Sequence, residues 1–334
     1  MRIIRKDNKG EAITIAAFFV LFAAVAITFQ IFEPTFLTWD SVTTMLKTGA
    51  TTAIAALGLT FVIVVSHSDI SFYMTSCFSS MFMAWLISLK IHPIIAVAGG
   101  LLMGFIWGGI SGIAVGKFKL PDIISTIAIG SIAFGAAYVF SDGAFIYEEF
   151  HTSGIINLSE HRFLGITVSV WIMLVLYIIA YFALDRSKIG RWFYSTGANK
   201  RAAFFSGVRV NQVIIAAFIV SGVLAALAAI IYDAAQGQGN VKIGMNFLMP
   251  CFSAIYIGWS VFKKPCVIGT FFGALISTVI TTGFTVMSIP YYYSDLTMAG
   301  VLILAIGLSK MQFKSKESDI AKPDDKAEGQ VAQA

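Results

Sequence analysis

Charged residues are scarce in this sequence. They make up 12% of its 334 residues, whereas hydrophobic residues make up 57%. Soluble domains contain about 25% charged residues, and a core surrounded by water cannot hide this much apolar surface. The composition therefore excludes a soluble globular protein and predicts one whose solvent is the lipid bilayer. The net charge of +5 is typical of cytoplasmic loops rich in Lys and Arg, so no nucleic-acid partner is expected.

Residues that carry enzyme chemistry are also few. The three cysteines, Cys77, Cys251 and Cys266, show no CxxC spacing, so neither a disulfide framework nor a zinc site is expected. The four histidines have no metal-binding spacing. The segment 112–118 resembles a phosphate-binding loop, but its glycine spacing is one residue short and Phe118 replaces the Ser or Thr that would hold magnesium. The sequence therefore predicts a protein that is not an enzyme, with no metal and no cofactor of its own.

Charges are missing from the interiors of the apolar runs as well. Ion-coupled carriers usually keep an Asp, Glu or His within the membrane, on the path of the ion. The closest candidates, Asp69 and Asp122, sit at predicted helix starts, where a carboxylate can cap free backbone N–H groups. The energy for any transport is therefore expected to come from another protein.

The apolar runs predict an all-α membrane protein with about ten transmembrane helices. Their predicted ranges are 12–32, 48–66, 71–89, 92–115, 122–141, 163–184, 212–232, 245–262, 266–287 and 296–312. The first run follows four basic residues and contains Ala24-Val25-Ala26, as a signal peptide would. It is about 20 residues long, however, which is enough to span a bilayer. An uncleaved first helix is therefore the preferred interpretation.

The distribution of positive charge predicts that both termini are cytoplasmic. With the N-terminus inside, 19 of the 23 Lys and Arg residues fall on the cytoplasmic side, as the positive-inside rule requires. The predicted organisation is a cytoplasmic tail over 1–11, a transmembrane domain over 12–312 and a disordered cytoplasmic tail over 313–334. On the outer side, the run Tyr291-Tyr292-Tyr293 is interpreted as an interfacial aromatic belt, with contact to an external partner as the alternative.

Five glycines recur at every fourth position of the fourth predicted helix. This spacing places them on one face, where small residues let another helix approach closely. Tight helix packing is therefore predicted for Gly100, Gly104, Gly108, Gly112 and Gly116.

The loop over 185–211 carries the densest positive charge between any two apolar runs. Within it, Asn199 is a typical helix N-cap and Gly207 a typical helix stop, with about two turns of helix between them. A helix this short needs a partner surface. The pair Phe204-Phe205 would supply apolar contact with that surface, and the pair Lys200-Arg201 would orient the helix on it. An amphipathic helix on the membrane surface is the alternative. The residues predicted to make the contact are Gly197, Asn199, Lys200, Arg201, Ala202, Ala203, Phe204, Phe205, Ser206 and Gly207.

Three motifs resemble those of a known family. The segment 190–208, GRWFYSTGANKRAAFFSGV, is similar to G-R-x-x-Y-A-x-G-G-N-x-x-A-A-x-x-S-G-I in permease subunits of ATP-binding-cassette importers of the ribose/monosaccharide-type branch. The run SGVLAALA over 221–228 and the triplet Asp69-Ile70-Ser71 resemble two further family motifs. The resemblance covers most of residues 12–310. The chain departs from the family in its basic pair Lys200-Arg201, in lacking the glycines that flank Asp69, and in the turn over 260–265.

The resemblance implies an assembly in the bacterial inner membrane. Two permease subunits, as a homodimer or a pair of related chains, would form the pathway. Two ATPase subunits, which would hold ATP and magnesium, would each grip a coupling helix within 185–211. An extracytoplasmic binding protein would deliver the substrate, expected to be a monosaccharide. The unusual pair Lys200-Arg201 predicts a matching acidic groove on the ATPase.

Two other functions stay open, namely a secondary transporter of a small neutral solute and a membrane subunit without transport activity, such as an assembly scaffold. The missing internal charge argues against the first, and the coupling-helix sequence argues against the second. Candidate pathway residues are Ser66, Asp69, Ser71 and Thr75, since Ser and Thr hydroxyls can bond to a polyhydroxylated solute.

Overall fold

Helices dominate the computed structural model, which describes Phe19 and residues 22–320. Two short strands, β1 (Arg162–Phe163) and β2 (Ile166–Thr167), pair as an antiparallel hairpin. A π-helical segment, Tyr181–Arg186, follows α8, and a 3-10 segment, Ile243–Phe247, precedes α12. The α-helices are α1 (Phe22–Phe32), α2 (Trp39–Val64), α3 (Ser71–Ser88), α4 (Pro93–Gly116), α5 (Asp122–Ser141), α6 (Phe150–Ser153), α7 (Asn157–Glu160), α8 (Val168–Ala180), α9 (Lys188–Ala198), α10 (Lys200–Phe205), α11 (Val210–Gln236), α12 (Leu248–Phe262), α13 (Val267–Val286) and α14 (Tyr291–Ile320).

Seven helical segments in the described part of the chain are long and apolar enough to cross a bilayer. They coincide with seven of the predicted spans, which confirms an all-α membrane fold. In the remaining three predicted spans, the described residues form α1, α3 and α14; residues 12–18, 20 and 21 of the first span lie outside the described part of the chain. The apolar parts of α1 and α14 are shorter than the other spans, and α3 is rich in Ser and Thr.

Several boundaries differ from the predictions. The sixth predicted span opens with the β-hairpin, because Leu164 and Gly165 adopt positive φ angles of 54° and 80° and turn the chain. The predicted loop around the three tyrosines is instead the start of α14. That helix continues to Ile320, into the predicted C-terminal tail. The predicted tail over 1–11 and residues 321–334 lie outside the described residues.

The centre of the bundle is α11. It contacts α2, α3 and α4 along much of its length. Its inward positions are largely small, and Ala225, Ala228 and Ala229 are fully buried. Small side chains let helix backbones approach closely, which drives packing where lipid surrounds the bundle. One large apolar cluster joins α11 to α2, α8, α12 and α13.

The segments between α5 and α8 lie at the end of the bundle where α5 and α11 end. Ile146 forms a β-bridge with Gly239, which links this region to the segment between α11 and α12. Glu149 pairs with Lys90 at 3.3 Å, and Glu160 pairs with Lys47. Such exposed ion pairs contribute little stability individually, so the bridge and buried side chains such as Phe150 carry more of this packing.

Candidate functional site

The basic loop over 185–211 folds into two helices rather than one. The first, α9, was not predicted; it begins where the Ser187 hydroxyl accepts a hydrogen bond from the Gly190 N–H at 3.2 Å. Gly190 is required there, since a Cβ would lie 1.7 Å from the Leu184 carbonyl oxygen. The second helix, α10, lies where the sequence predicted about two turns.

Both ends of α10 are capped by the residues that the sequence indicated. The Asn199 side-chain oxygen accepts a hydrogen bond from the Ala202 N–H at 2.9 Å, as an N-cap does. At the other end, Gly207 has a φ of +82°, which lets the Val208 N–H bond back to the Ala203 carbonyl at 3.1 Å. Local sequence alone therefore sets the limits of this helix.

The two faces of α10 differ in exposure. Ala203 is 3% exposed and attaches the helix to the rest of the protein. Phe204 and Phe205 are 66% and 80% exposed and point away from that attachment. Lys200 and Arg201 are exposed at its start. The helix therefore presents aromatic rings flanked by positive charge.

Gly197 joins this region to the C-terminal end of α2. A Cβ on Gly197 would lie 2.0 Å from the Val64 carbonyl oxygen, so a larger residue cannot fit without backbone movement. The Gly197 carbonyl also accepts a hydrogen bond from the Ser66 hydroxyl at 2.9 Å. The end of α9 therefore packs directly against the end of α2.

A cleft of about 580 Å³ opens beside α10. The groups lining it are mostly positive or apolar, and they come from α4, α10, α11 and the turns at the ends of α2 and α4. They are His67, Val115, Gly116, Lys119, Leu120, Lys200, Arg201, Phe204, Phe205, Val210, Asn211 and Ile214.

His67 is held in this cleft between opposite charges. Its Nε2 accepts a hydrogen bond from the Lys200 ammonium at 2.8 Å, and its Nδ1 lies 3.2 Å from the Asp122 carboxylate. Burial, and next the Lys200 charge, lower the pKa of His67 below its usual 6.5, while Asp122 opposes this shift. The imidazole is therefore neutral at a pH of 6.5 and above.

Tyr194 on α9 connects the loop to the turn between α12 and α13. Its hydroxyl lies 2.8 Å from an Asp185 carboxylate oxygen and 3.2 Å from the Pro265 carbonyl. Burial and the hydrogen bond to Asp185 raise the pKa of Tyr194, so the hydroxyl keeps its proton and donates. Lys264 lies over the ring at 5.0 Å, within the range of a cation–π contact.

The four predicted pathway residues lie close together along the chain but in different surroundings. Ser66 is exposed and bonds to Gly197. Asp69, Ser71 and Thr75 are each 1% exposed, so they are enclosed within this chain. The Asp69 carboxylate accepts hydrogen bonds from the hydroxyls of Ser71 at 2.5 Å and Ser221 at 2.9 Å. A role for these residues in a solute path stays a prediction.

The glycine stripe of α4 faces α11. A Cβ on Gly104 would lie 2.6 Å from the Gly222 carbonyl oxygen, and one on Gly108 would lie 2.5 Å from that of Phe218. A Cβ on Gly112 or Gly116 would lie 2.9 or 3.0 Å from the backbone of α11, and Gly100 approaches α3 as well. The stripe therefore fixes the closest helix contact around α11.

One buried charge was missed by the expectation that no helix carries an internal charge. The last helical residue of α11 is Gln236 rather than residue 232, which places Asp233 inside the helix with 0% exposure. Ser80 and the Asn240 backbone lie beside its carboxyl group, but neither oxygen has a hydrogen-bond partner among the described residues. The signal in the sequence is an acidic residue directly following a long apolar run.

Known proteins resemble this chain over most of its length. The profile of the family described as branched-chain amino acid transport system, permease component, matches residues 41–306. The ribose import permease protein of Haemophilus influenzae is 29% identical over 294 residues, which are 87% of this chain and 91% of the relative. The D-allose transport system permease protein of Escherichia coli is 30% identical over 297 residues, 88% of this chain and 90% of the relative. The L-arabinose ABC transporter permease protein of Azospirillum brasilense is 25% identical, with coverage of 87% and 85%.

Proposed function

Since this chain belongs to the permease family of the branched-chain amino acid transport systems, we propose that it is the membrane-spanning subunit of an ATP-binding-cassette importer for a monosaccharide. It is a multi-pass protein of the bacterial inner membrane. In this role it binds no nucleotide, and ATP with its magnesium ion is held by a separate ATPase subunit.

The observation that carries the proposal is α10. An isolated helix of six residues is unstable in water, yet here both ends are capped and Ala203 is buried. Its two phenylalanines are nevertheless exposed, and an exposed apolar group of this kind indicates an interaction surface, with a protein or with the membrane. A groove on the ATPase that is apolar inside and acidic at its rim would match Phe204 and Phe205 together with Lys200 and Arg201.

A monosaccharide is the substrate class best supported. The three relatives are named for ribose, D-allose and L-arabinose, which are all uncharged polyhydroxylated molecules. The extracytoplasmic binding protein would select among sugars before the permease meets them.

A complete pathway would need a second permease subunit, either another copy of this chain or a related one. Both termini of the subunit would be cytoplasmic, because most of the positive charge then faces inward. Residues 1–11 and the end of the predicted tail over 313–334 would accordingly lie on the ATPase side.

A proton-coupled secondary transporter is the second candidate, and Asp233 is the observation that favours it. Carboxylates buried in membrane helices often belong to ion paths. The importer, in contrast, explains the exposed aromatic and basic residues of α10 as a contact surface for the ATPase.

The decisive test is uptake of radiolabelled ribose, D-allose or L-arabinose into cells that express the chain together with its partner ATPase and binding protein. Replacing Ala203 with Trp should abolish uptake while the protein remains in the membrane, because α10 loses its buried attachment. The exposed Ala202, changed to Trp, tests for the partner surface itself. Normal uptake by both variants would exclude α10 as the coupling element.

A further inference from the structure

The turn between α2 and α3, residues 65–70, contacts the coupling region at two points. The Ser66 hydroxyl donates to the Gly197 carbonyl at 2.9 Å. The Lys200 ammonium, at the start of α10, donates to His67 Nε2 at 2.8 Å. Movement of α10 would therefore reach this turn directly, through the Lys200 side chain and through the Gly197 carbonyl at the end of α9.

The same turn is fixed to the start of α5. One Asp122 carboxylate oxygen accepts the Ser68 N–H at 2.9 Å and lies 3.2 Å from His67 Nδ1. The Ile70 N–H donates to the Thr126 hydroxyl at 3.2 Å. Because α5 begins here, displacement of the turn would displace α5 as well.

The inner end of the turn reaches the middle of the bundle. Asp69 accepts hydrogen bonds from Ser71 on α3 and Ser221 on α11. Ser71 in turn lies 3.1 Å from the Ser111 hydroxyl on α4. Six residues thus join the cytoplasmic surface to three helices that surround a buried carboxylate.

The chemistry of the contact specifies one form of the imidazole. An ammonium group can only donate a hydrogen bond, and an ionised carboxylate can only accept one. The ring between Lys200 and Asp122 must therefore accept at Nε2 and donate at Nδ1. A ring protonated on both nitrogens can no longer accept from Lys200 and would repel it.

From this geometry we infer that His67 is a positioning residue for transport, which transmits movement of α10 to the 65–70 turn and to the helices around Asp69. This role rests on the proposed function, since α10 moves only if an ATPase grips it. In this role His67 acts through its hydrogen bonds to Lys200 and Asp122.

The charges around His67 predict how pH affects the contact. Asp122 faces it from α5, Lys200 and Arg201 lie on α10, Lys119 comes from the turn after α4, and α11 contributes the uncharged ring of Phe218. Burial, and next the Lys200 charge, lower the pKa of His67 below its usual 6.5 against the opposing effect of Asp122, so the ring stays neutral at that pH. The contact with Lys200 is therefore intact at pH 7.5 and is lost only when the pH on that side falls below 6.5.

The test uses the complete transporter in proteoliposomes, with uptake of radiolabelled ribose, D-allose or L-arabinose and ATP hydrolysis measured together. His67→Phe keeps an aromatic ring but removes both hydrogen bonds. We expect it to hydrolyse ATP while the sugar carried per ATP falls by at least about fivefold, the lower range for coupling between sites. His67→Gln, which can accept from Lys200 and donate to Asp122, should restore most of the ratio.

A pH profile separates transmission from a merely structural role. The wild-type ratio of sugar to ATP should stay constant from pH 8 to 6.5 on the ATPase side and fall at lower pH, whereas His67→Gln should lack this additional fall. Equal ratios for wild type and His67→Phe, or identical pH profiles for wild type and His67→Gln, would overturn the inference.

Two controls complete the design. Should His67→Phe fail to fold, Lys200→Met tests the same contact from an exposed position, and Lys200→Arg retains the donor; a normal sugar-to-ATP ratio in Lys200→Met would count against the inference. Failure of the proposed function gives a different result, since the wild-type complex would then show no ATP-dependent uptake of these sugars.

Discussion

Replacing Gly108 with alanine should force α4 away from α11. The new Cβ would lie 2.5 Å from the Phe218 carbonyl oxygen, whereas ordinary contacts begin at 3.4 Å. The two backbones must therefore separate locally by close to 0.9 Å, the difference between these distances. Gly104 and Gly112 make further close contacts in the same interface, at 2.6 and 2.9 Å, so the separation would loosen packing along the whole stripe. Overpacking of this kind costs about 1–3 kcal/mol.

Gly109, the next residue in the same helix, provides a matched control. A Cβ there would have one neighbour within 4 Å, Ile219 Cγ1 at 3.9 Å. Both substitutions gain the same helix propensity, about 1 kcal/mol in favour of alanine, so this term cancels in the comparison. The free energy of unfolding should then differ between Gly108→Ala and Gly109→Ala by about 1–3 kcal/mol, which is a factor of roughly 5 to 150 in the unfolding equilibrium.

The assay is unfolding of the purified protein in mixed micelles, as the fraction of denaturing detergent rises. Loss of helix is followed by circular dichroism. Gly108→Ala should unfold at a lower fraction than wild type, and Gly109→Ala at the same or a higher one. Identical unfolding curves for the two variants would refute the close contact between α4 and α11.

Three further predictions concern the cytoplasmic helix and the buried carboxylate. Asn199→Ala should destabilise α10 by about 1 kcal/mol through loss of its cap and speed tryptic cleavage after Lys200 and Arg201, whereas Asn199→Asp should not. Changing Lys200 and Arg201 together to Glu should reduce the amount of ATPase that co-purifies with the permease; unchanged recovery would remove the acidic-groove hypothesis. Asp233→Asn should leave ATP-driven uptake intact in vesicles. Loss of uptake in this variant would favour the ion-coupled alternative.

Local features of the fold could be predicted from the sequence because their causes lie within a few residues. Asn199 and Gly207 limit α10 through hydrogen bonds to its own backbone. Long apolar runs predict membrane helices for the same reason, since each must satisfy its backbone groups internally. The regular spacing of glycines in α4 likewise indicated one packed face, although the partner helix could not be named.

Contacts between distant parts of the chain could not be predicted in this way. His67, Asp122 and Lys200 come from three separate segments, and only the folded bundle brings them together. Asp69 was expected to cap a helix, but its carboxylate accepts hydrogen bonds from the hydroxyls of Ser71 on α3 and Ser221 on α11. Asp233 was missed because the apolar run was ended one residue before it, while α11 continues to Gln236.

The central claim is that ATP hydrolysis on a partner drives sugar through this protein. It is tested most directly by uptake of radiolabelled ribose, D-allose or L-arabinose into proteoliposomes that contain the permease, its ATPase and its binding protein. We predict uptake that requires ATP on the ATPase side and continues when ionophores abolish ion gradients. Uptake that continues without ATP and stops with ionophores would contradict the claim.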